Sequence, residues 1–231
     1  MEQQLSEHTG RRSFSERFPR YVWICAAYLL TIDLIVFYGT RPILAYLPAH
    51  DLSTPLDQRI PVLPVWITVY FAAFIPWIIT LPWVLSESKR HAYRLCGVYT
   101  IIMIATLICF LGYPVTIARP EITGDGIFDK AMRLLYRIDS PMNLCPSLHV
   151  VLSYLCWRCT MDCQKIPKWY QWFNLVFLIP VCLSILFVKQ HFVVDIAVAL
   201  IVSEGALQIG RAARLERIGF AIETRFRKKT E

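Results

Sequence analysis

Charge is scarce in this chain. Only 18% of its 231 residues are Asp, Glu, Lys or Arg, against 56% that are hydrophobic. The charged residues gather between long apolar runs instead of alternating with them, which excludes an ordinary soluble domain and describes a polytopic membrane protein. Signatures of nucleic-acid binding are lacking too. The net charge of +7 has no soluble basic domain to carry it, so no nucleic-acid partner is expected. There is no internal repeat and no low-complexity linker, hence one domain. The first apolar run follows a polar, basic segment and has no small-residue cleavage site, so it reads as a membrane helix rather than a removed signal. Metal ligands are also short of a set. Most of the eight cysteines (Cys25, Cys96, Cys109, Cys145, Cys156, Cys159, Cys163, Cys182) lie inside apolar runs, where a thiol behaves as a small hydrophobe. Cys156, Cys159 and Cys163 fall on one helix with no partner cluster after them, which does not make a four-ligand zinc site.

What is present is a series of stretches near the roughly 20 apolar residues needed to cross a bilayer. They cover about 21–39, 61–85, 95–118, 146–163, 172–189 and 192–210. The expected fold is an all-α bundle of about six transmembrane helices spanning 21–210, between a basic segment 1–20 and a basic tail 211–231. The fourth and sixth stretches are the least oily. Pro61, Pro64, Pro76 and Pro82 in the second predict kinks or a late start. Lys and Arg divide unevenly between alternate sides, seventeen against seven, so both termini are expected in the cytoplasm, which requires an even number of spans. The tail run Arg225 to Lys229 reads as a solvated anchor on that side, with recruitment of anionic headgroups as a second use.

The opposite face collects the chemistry. Arg119 is expected at the outer end of the third span, His149 near the outer start of the fourth, and His191 and Asp195 at the outer start of the sixth, just after Lys189. Ionisable groups at membrane depth are costly, and their gathering on one face points to function. His191 and Asp195 are four apart, so on a helix they share a face. The carboxylate can then orient one ring nitrogen and leave the other for nucleophilic attack; a structural His–Asp pair at a helix entrance fits equally well. Pro146 suits a first helical turn, which places Ser147 and His149 at a helix amino terminus, a natural phosphate site. A plain helix start with Ser147 as a local cap is the alternative there. The fork of Arg119 suits phosphate oxygens, though alone it is an interfacial anchor. A two-histidine, one-carboxylate metal site from His149, His191 and Asp195 is a further alternative; Arg119 and Lys189 would repel the cation, so no metal or other cofactor is expected.

Arg119-Pro120, Pro146-Ser147-Leu148-His149, Ser184, His191 and Asp195 occur in the order and approximate spacing of the type 2 phosphatidic acid phosphatase superfamily, which this sequence resembles from about residue 20 to 210. Two positions depart from that pattern: Gly112 stands where the first motif has Lys, and Ile185 where the third has Arg. The relaxed motifs, with Asp139-Ser140-Pro141-Met142-Asn143 before the second, are similar to those of the branch near inositol-phosphoceramide and sphingomyelin synthases. The resemblance implies that His191 attacks phosphorus to form a phosphohistidine, with Asp195 orienting it. It also implies that His149 protonates the leaving alkoxide, and that Arg119, Ser147 and Lys189 hold the phosphoryl oxygens. A lipid phosphate is the implied substrate, hydrolysed without metal at the non-cytoplasmic face. Transfer of a phospho-headgroup to a lipid alcohol is the alternative, and a catalytically silent transporter or scaffold is a third. Short soluble loops and relaxed motifs resemble bacterial members, which implies a bacterial cell membrane.

Other polar residues have structural readings. Asp33, mid-helix in the first span, is expected to face a polar helix partner or a substrate path, and Glu204 another helix or the inner boundary. His50 and His91 read as solvated loop residues. The amphipathic stretch Phe128–Ile138 is expected to lie as a cap over the outer face.

Overall fold

The computed structural model describes residues 14–230, all helical apart from connections and one isolated bridge between His50 and Val115. The polar segment before residue 14 lies outside the described residues, including Arg11 and Arg12 of the charge count.

Eight helices order the body. α1 runs Arg20–Gly39 and continues through a further turn at Arg41–Leu44. α2 covers Pro64–Leu85 in three pieces: a 3-10 turn at Pro64–Trp66, then Ile67–Ala72, then Phe74–Leu85. The late start and the break are those the prolines predict, because each proline removes a backbone donor and crowds the preceding turn. α3 spans Lys89–Gly112, the amphipathic α4 Ile127–Ile138, α5 Leu148–Met161, α6 Lys168–Phe187, α7 Val193–Ala212 and α8 Glu216–Thr230. Five of them, α1, α2, α3, α6 and α7, are long and apolar enough to cross a membrane. The fourth expected span exists as α5, but its 14 residues rise only about 21 Å, short of a hydrocarbon core of roughly 30 Å.

α5 compensates for its length by its position. It packs against α2, α6 and α7, and Leu148, Val150, Val151, Leu155, Cys156 and Cys159 along it are all buried. α3 is the second organiser, touching α1, α2, α7 and α8. The lipid-sized helices α1, α2 and α6 carry their exposed residues as Ile, Leu, Val, Trp and Phe, such as Ile24, Ile35, Ile78, Val176 and Ile179. An apolar exterior over a buried core is the pattern of a protein solvated by hydrocarbon.

Consecutive long helices alternate in direction. Gly39, Pro64, Gly112, Leu148, Phe187 and Val193 therefore lie toward one end, here the upper end, and Arg20, Leu85, Lys89, Met161, Lys168 and Ala212 toward the lower. Asp33 and Glu204 find partners within the bundle. Tyr99 donates to Asp33, and Glu204 accepts from Arg158 and Tyr154 of α5 and from Gln208. His91 is not in a loop: Ser88 caps α3 by accepting from the His91 backbone N–H, and the Ser88 hydroxyl also meets the His91 ring at 2.8 Å. His50 remains exposed and stacks on Tyr113 at 4.1 Å.

At the lower end the first part of the tail is docked, while Arg225 and Lys228 of the run expected to be solvated are exposed. Glu216, 5% exposed, accepts from Arg90 and from both Arg94 nitrogens, while Glu223 takes Lys89 and the Tyr93 hydroxyl. α8 fits this closely because Gly219 offers no Cβ; one added there would come within 2.4 Å of the Tyr93 ring. Arg94 above all holds the Glu216 carboxyl down, to about 2, against the opposing effect of burial.

Candidate active site

Three connections meet over the upper ends of α2, α5, α6 and α7. The first is residues 113–126. α3 stops at Gly112, earlier than expected, because Pro114 cannot continue a helix. An extended segment follows, tied by His50 N–H to Pro114 O at 2.8 Å and Thr116 N–H to His50 O at 3.0 Å. Arg119 therefore arrives on an extended chain, seven residues past the helix where the hydropathy placed it. Val115 and Ile117 root this chain in a small apolar cluster with Leu144 and Phe192.

Arg119 is tightly held. Nη1 donates to Asp139 O at 2.6 Å and to Tyr136 O, Nη2 donates to Gln190 Oε1, and the guanidinium sits 4.7 Å over the Tyr136 ring. Tyr136 belongs to α4, which packs on the start of α2 and does cap this end; its hydroxyl donates to Val188 O. Burial lowers the Arg119 pKa while Asp139 and Tyr136 pull it back up, and a guanidinium remains charged throughout. Arg119 Nε is buried with no partner.

The second connection, 139–147, leads into α5. Asn143 adopts a left-handed φ of 62° and clamps the top of α1, donating to Phe37 O at 2.6 Å and Thr40 Oγ1 at 2.9 Å. Arg41 pairs with Asp139. Ser147 is the residue before the helix, so Pro146 lies one position outside the first turn where it was expected. Ser147 makes no capping bond; its side chain is fully buried and its hydroxyl unpartnered. His149, in the first turn, stacks on Tyr70 at 4.1 Å and meets the Trp77 and Phe74 rings edge-on at 5.0 and 5.8 Å. Its Nε2 is buried and unpartnered.

The third connection, 188–192, carries His191. It is not on a helical face with Asp195, since α7 begins at Val193. The two meet by a different route: Asp195, at the third position of α7, reaches back over the helix start. Its Oδ2 accepts from Phe192 N–H at 2.9 Å and lies 3.2 Å from His191 Nδ1. A carboxylate there also complements the helix dipole. Asp195 is completely buried and its Oδ1 has no partner. The Asp195 carbonyl accepts from Ser147 N–H at 3.4 Å, joining the second and third connections. With Nδ1 taken, Nε2 is the His191 atom left for chemistry.

Lys189 does not project freely as a phosphate cation. With a left-handed φ of 49°, it donates from Nζ to the carbonyls of Asp57 at 3.0 Å and Ile60 at 2.7 Å. Burial lowers its pKa and Asp57 raises it. Asp57, which sequence reasoning missed, is buried in a five-residue helical turn, Pro55–Arg59, and accepts from Thr54 and from Val193 N–H at 2.8 Å. Burial works to raise its carboxyl, but the Thr54 and Val193 bonds and the Lys189 charge outweigh that and hold it low. Asp57 and Lys189 together fasten this loop beside the site.

Arg119, Lys189 and His191 line an open cleft of about 590 Å³ together with Asp51, Ser53 and Gln58. Behind His191 lies a cavity of about 30 Å³ lined by His149, His191, Gln190, Tyr70 and Asn143 among others. His191 is shared by both. The structure thus brings five of the six expected residues, His191, His149, Asp195, Ser147 and Arg119, to one end, and ties the sixth, Lys189, to the wall. His149, His191 and Asp195 do not gather as metal ligands: no three such side chains do so among the described residues. Gly112, at the end of α3, has open space around it, and Ile185 is fully buried; neither lines the cleft or the cavity. No protein-family model matches the chain, and comparison with curated proteins and with solved structures finds no significant match.

Proposed function

We propose that this protein is a membrane phosphatase that hydrolyses a lipid phosphate or diphosphate through a phosphohistidine at His191. One observation carries the reading. Around an oriented histidine, Arg119 Nε, the Ser147 hydroxyl, His149 Nε2 and the Gln190 NH2 group are buried without partners. A folded protein rarely leaves buried donors unsatisfied, and a phosphoryl group presents three oxygens that accept from such a set. His191 Nε2 attacks phosphorus; the bond from phosphorus to the lipid oxygen breaks, and that oxygen takes a proton from His149. Water, giving its proton back to His149, then attacks the phosphohistidine, releasing phosphate and restoring His191. Asp195 keeps Nε2 as the free atom and stabilises the charged ring. Arg119 beside His191 opposes a divalent cation, which supports a metal-independent route.

In this reading α5 is a sixth crossing shielded by its neighbours, both termini are cytoplasmic, and the site opens on the non-cytoplasmic face. The lysine and arginine bias toward the lower end supports that orientation. Transfer to a lipid alcohol is the second reading, favoured by a cleft of about 590 Å³ lined in part by the polar Asp51, Ser53 and Gln58. That is ample room for an acceptor headgroup.

The test is purified protein in detergent with phosphatidate, phosphatidylglycerophosphate, isoprenyl diphosphate and sphingolipid phosphates, in the presence of chelator. Release of inorganic phosphate, with an acid-labile and base-stable labelled enzyme intermediate lost in His191→Ala, is the expected result. A new phospholipid would assign the transfer reaction. Turnover unchanged in His191→Ala would remove the phosphohistidine mechanism.

A further inference from the structure

Gln190 has no part in the motifs that drew attention to this end, yet its side chain lines the same cavity as the two histidines. It is 4% exposed. Its backbone is fixed by the last turn of α6, where the Ile185 carbonyl accepts from Gln190 N–H at 2.9 Å and from His191 N–H at 3.2 Å. The orientation of its amide follows from its neighbour. Arg119 Nη2 is only a donor, so the atom facing it must be the Gln190 oxygen. The amide cannot be flipped without setting donor against donor. That leaves the Gln190 NH2 group on the other side, buried, with no partner, in a side chain that lines the cavity shared by His149 and His191.

A primary amide has two N–H donors, and burying them unpaired is costly. At about 30 Å³ the cavity has room for an atom the size of a water or a phosphoryl oxygen. The same space is lined by His149, with its unpartnered Nε2, by His191, by Asn143, whose Oδ1 is unpartnered, and by Asp139, whose carboxylate pairs with Arg41. The Gln190 NH2 group can only donate, so whatever fills the space against it must present an acceptor such as a water or phosphoryl oxygen.

We propose that Gln190 is an oxyanion donor: its amide N–H group holds a non-bridging phosphoryl oxygen in the cavity between His149 and His191. This rests on the phosphatase reading for its substrate, but not for its donor chemistry. Gln190 supplies a neutral donor at a site where Gly112 and Ile185 supply no cation. It also links that donor to Arg119 through one hydrogen bond.

Gln190→Glu separates this role from simple support of Arg119. The substitution keeps side-chain length and an oxygen for Arg119, and replaces only the donor by a carboxylate oxygen. If Gln190 merely positions Arg119, the variant matches the wild type, because a carboxylate is a stronger partner for guanidinium. If it is a donor, kcat falls on the order of a hundred-fold while KM moves far less. Inorganic phosphate also ceases to raise the melting temperature of the detergent-solubilised protein. Gln190→Met, similar in size but without donor or charge, loses both as well; this separates a missing donor from charge repulsion and serves if the Glu variant does not fold. Wild-type turnover and phosphate binding in the Met variant would overturn the assignment, as would a wild type that binds no phosphate. Phosphate binding that depends on Gln190, in a protein that releases phosphate from none of the lipids, would instead overturn the phosphatase reading and leave the donor standing.

Discussion

The two ends of the bundle treat buried polar groups in opposite ways. At the lower end the charges are matched: Glu216 holds Arg90 and Arg94, Glu223 holds Lys89, Asp162 holds Arg211, and Lys165 donates to the Ser86 and Glu87 carbonyls. Nine buried side-chain atoms lack a partner among the described residues. Two are the Thr106 and Ser203 hydroxyls within helices, and the other seven, on Arg41, Arg119, Asn143, Ser147, His149, Gln190 and Asp195, lie at the upper end. A satisfied end fixes a shape; an unsatisfied end keeps interactions in reserve for a ligand, at a cost in stability. Removing a polar group should therefore weaken the fold below and strengthen or spare it above, while activity responds only above.

The largest effect is expected from Asp195→Asn. An amide can still accept from Phe192 N–H through its oxygen, but it neither stabilises a charged His191 ring nor holds the same tautomer. A loss approaching 10⁴-fold in kcat is expected, by analogy with an orienting carboxylate elsewhere. The melting temperature should not fall, because a fully buried carboxylate with one unpartnered oxygen is replaced by a neutral group. A parallel fall in stability and activity would mean that Asp195 is a structural cap and nothing more.

Ser147→Ala sharpens the same point on a smaller scale. The hydroxyl caps nothing and bonds to nothing, so its removal is expected to leave stability unchanged or raise it by up to about 1 kcal/mol. About ten-fold of turnover is lost with one phosphoryl contact. The opposite end should answer in the opposite sense. Glu216→Gln leaves Arg94 without its counter-charge and costs about 1–3 kcal/mol, discounted because Arg90 is largely exposed. Turnover should not change.

The docked tail should also respond to acid. The Glu216 carboxyl, held at about 2 against an ordinary value of 4.5, stabilises the docked α8 fully above pH 4.5. That contribution fades as pH falls from 4.5 toward 2 and the carboxylate takes a proton. Hydrogen exchange of residues 216–226 should therefore quicken between pH 5 and pH 3 relative to α5, and Glu216→Gln should abolish the difference. An unchanged α8 at pH 3 would leave the Gly219 packing as its anchor.

How much of this was written in the linear chain differs between the same two ends. Hydropathy placed five long helices because a 20-residue apolar run has few alternatives, and the prolines of α2 announced its broken start. The site motifs brought His149, Ser147, His191 and Asp195 together. Arg119 was misplaced because Val115, Ile117 and Ala118 prolong the apolar run past the point where Gly112 and Pro114 end the helix. Lys189 looked free because its partners, the Asp57 and Ile60 carbonyls, are backbone atoms about 130 residues away. Gln190 carried no signal, since an uncharged residue beside Lys189 gains meaning only when Arg119 fixes its amide. The docked tail was hidden for the same reason, with Glu216 meeting Arg90 and Arg94 only in three dimensions.

The smallest expected effect concerns the position where the resemblance is weakest. Gly112→Lys would place a cation where the first motif of the superfamily that the sequence resembles has one. Gly112 is the last residue of α3, with no atom within 4 Å of where a Cβ would stand, and it lines neither the cleft nor the inner cavity. A lysine there meets no steric bar, and a positive charge at a helix carboxyl terminus is mildly favourable, by about 0.3–1 kcal/mol. Stability should rise slightly or stay level. Turnover should change less than two-fold, because Arg119 and Gln190 already occupy the places from which a donor reaches the histidines. A ten-fold or larger gain in kcat/KM would show that the upper end is short of a cation and that Gln190 does not replace it. An unchanged rate would show that the reserve of donors at this end is complete without it.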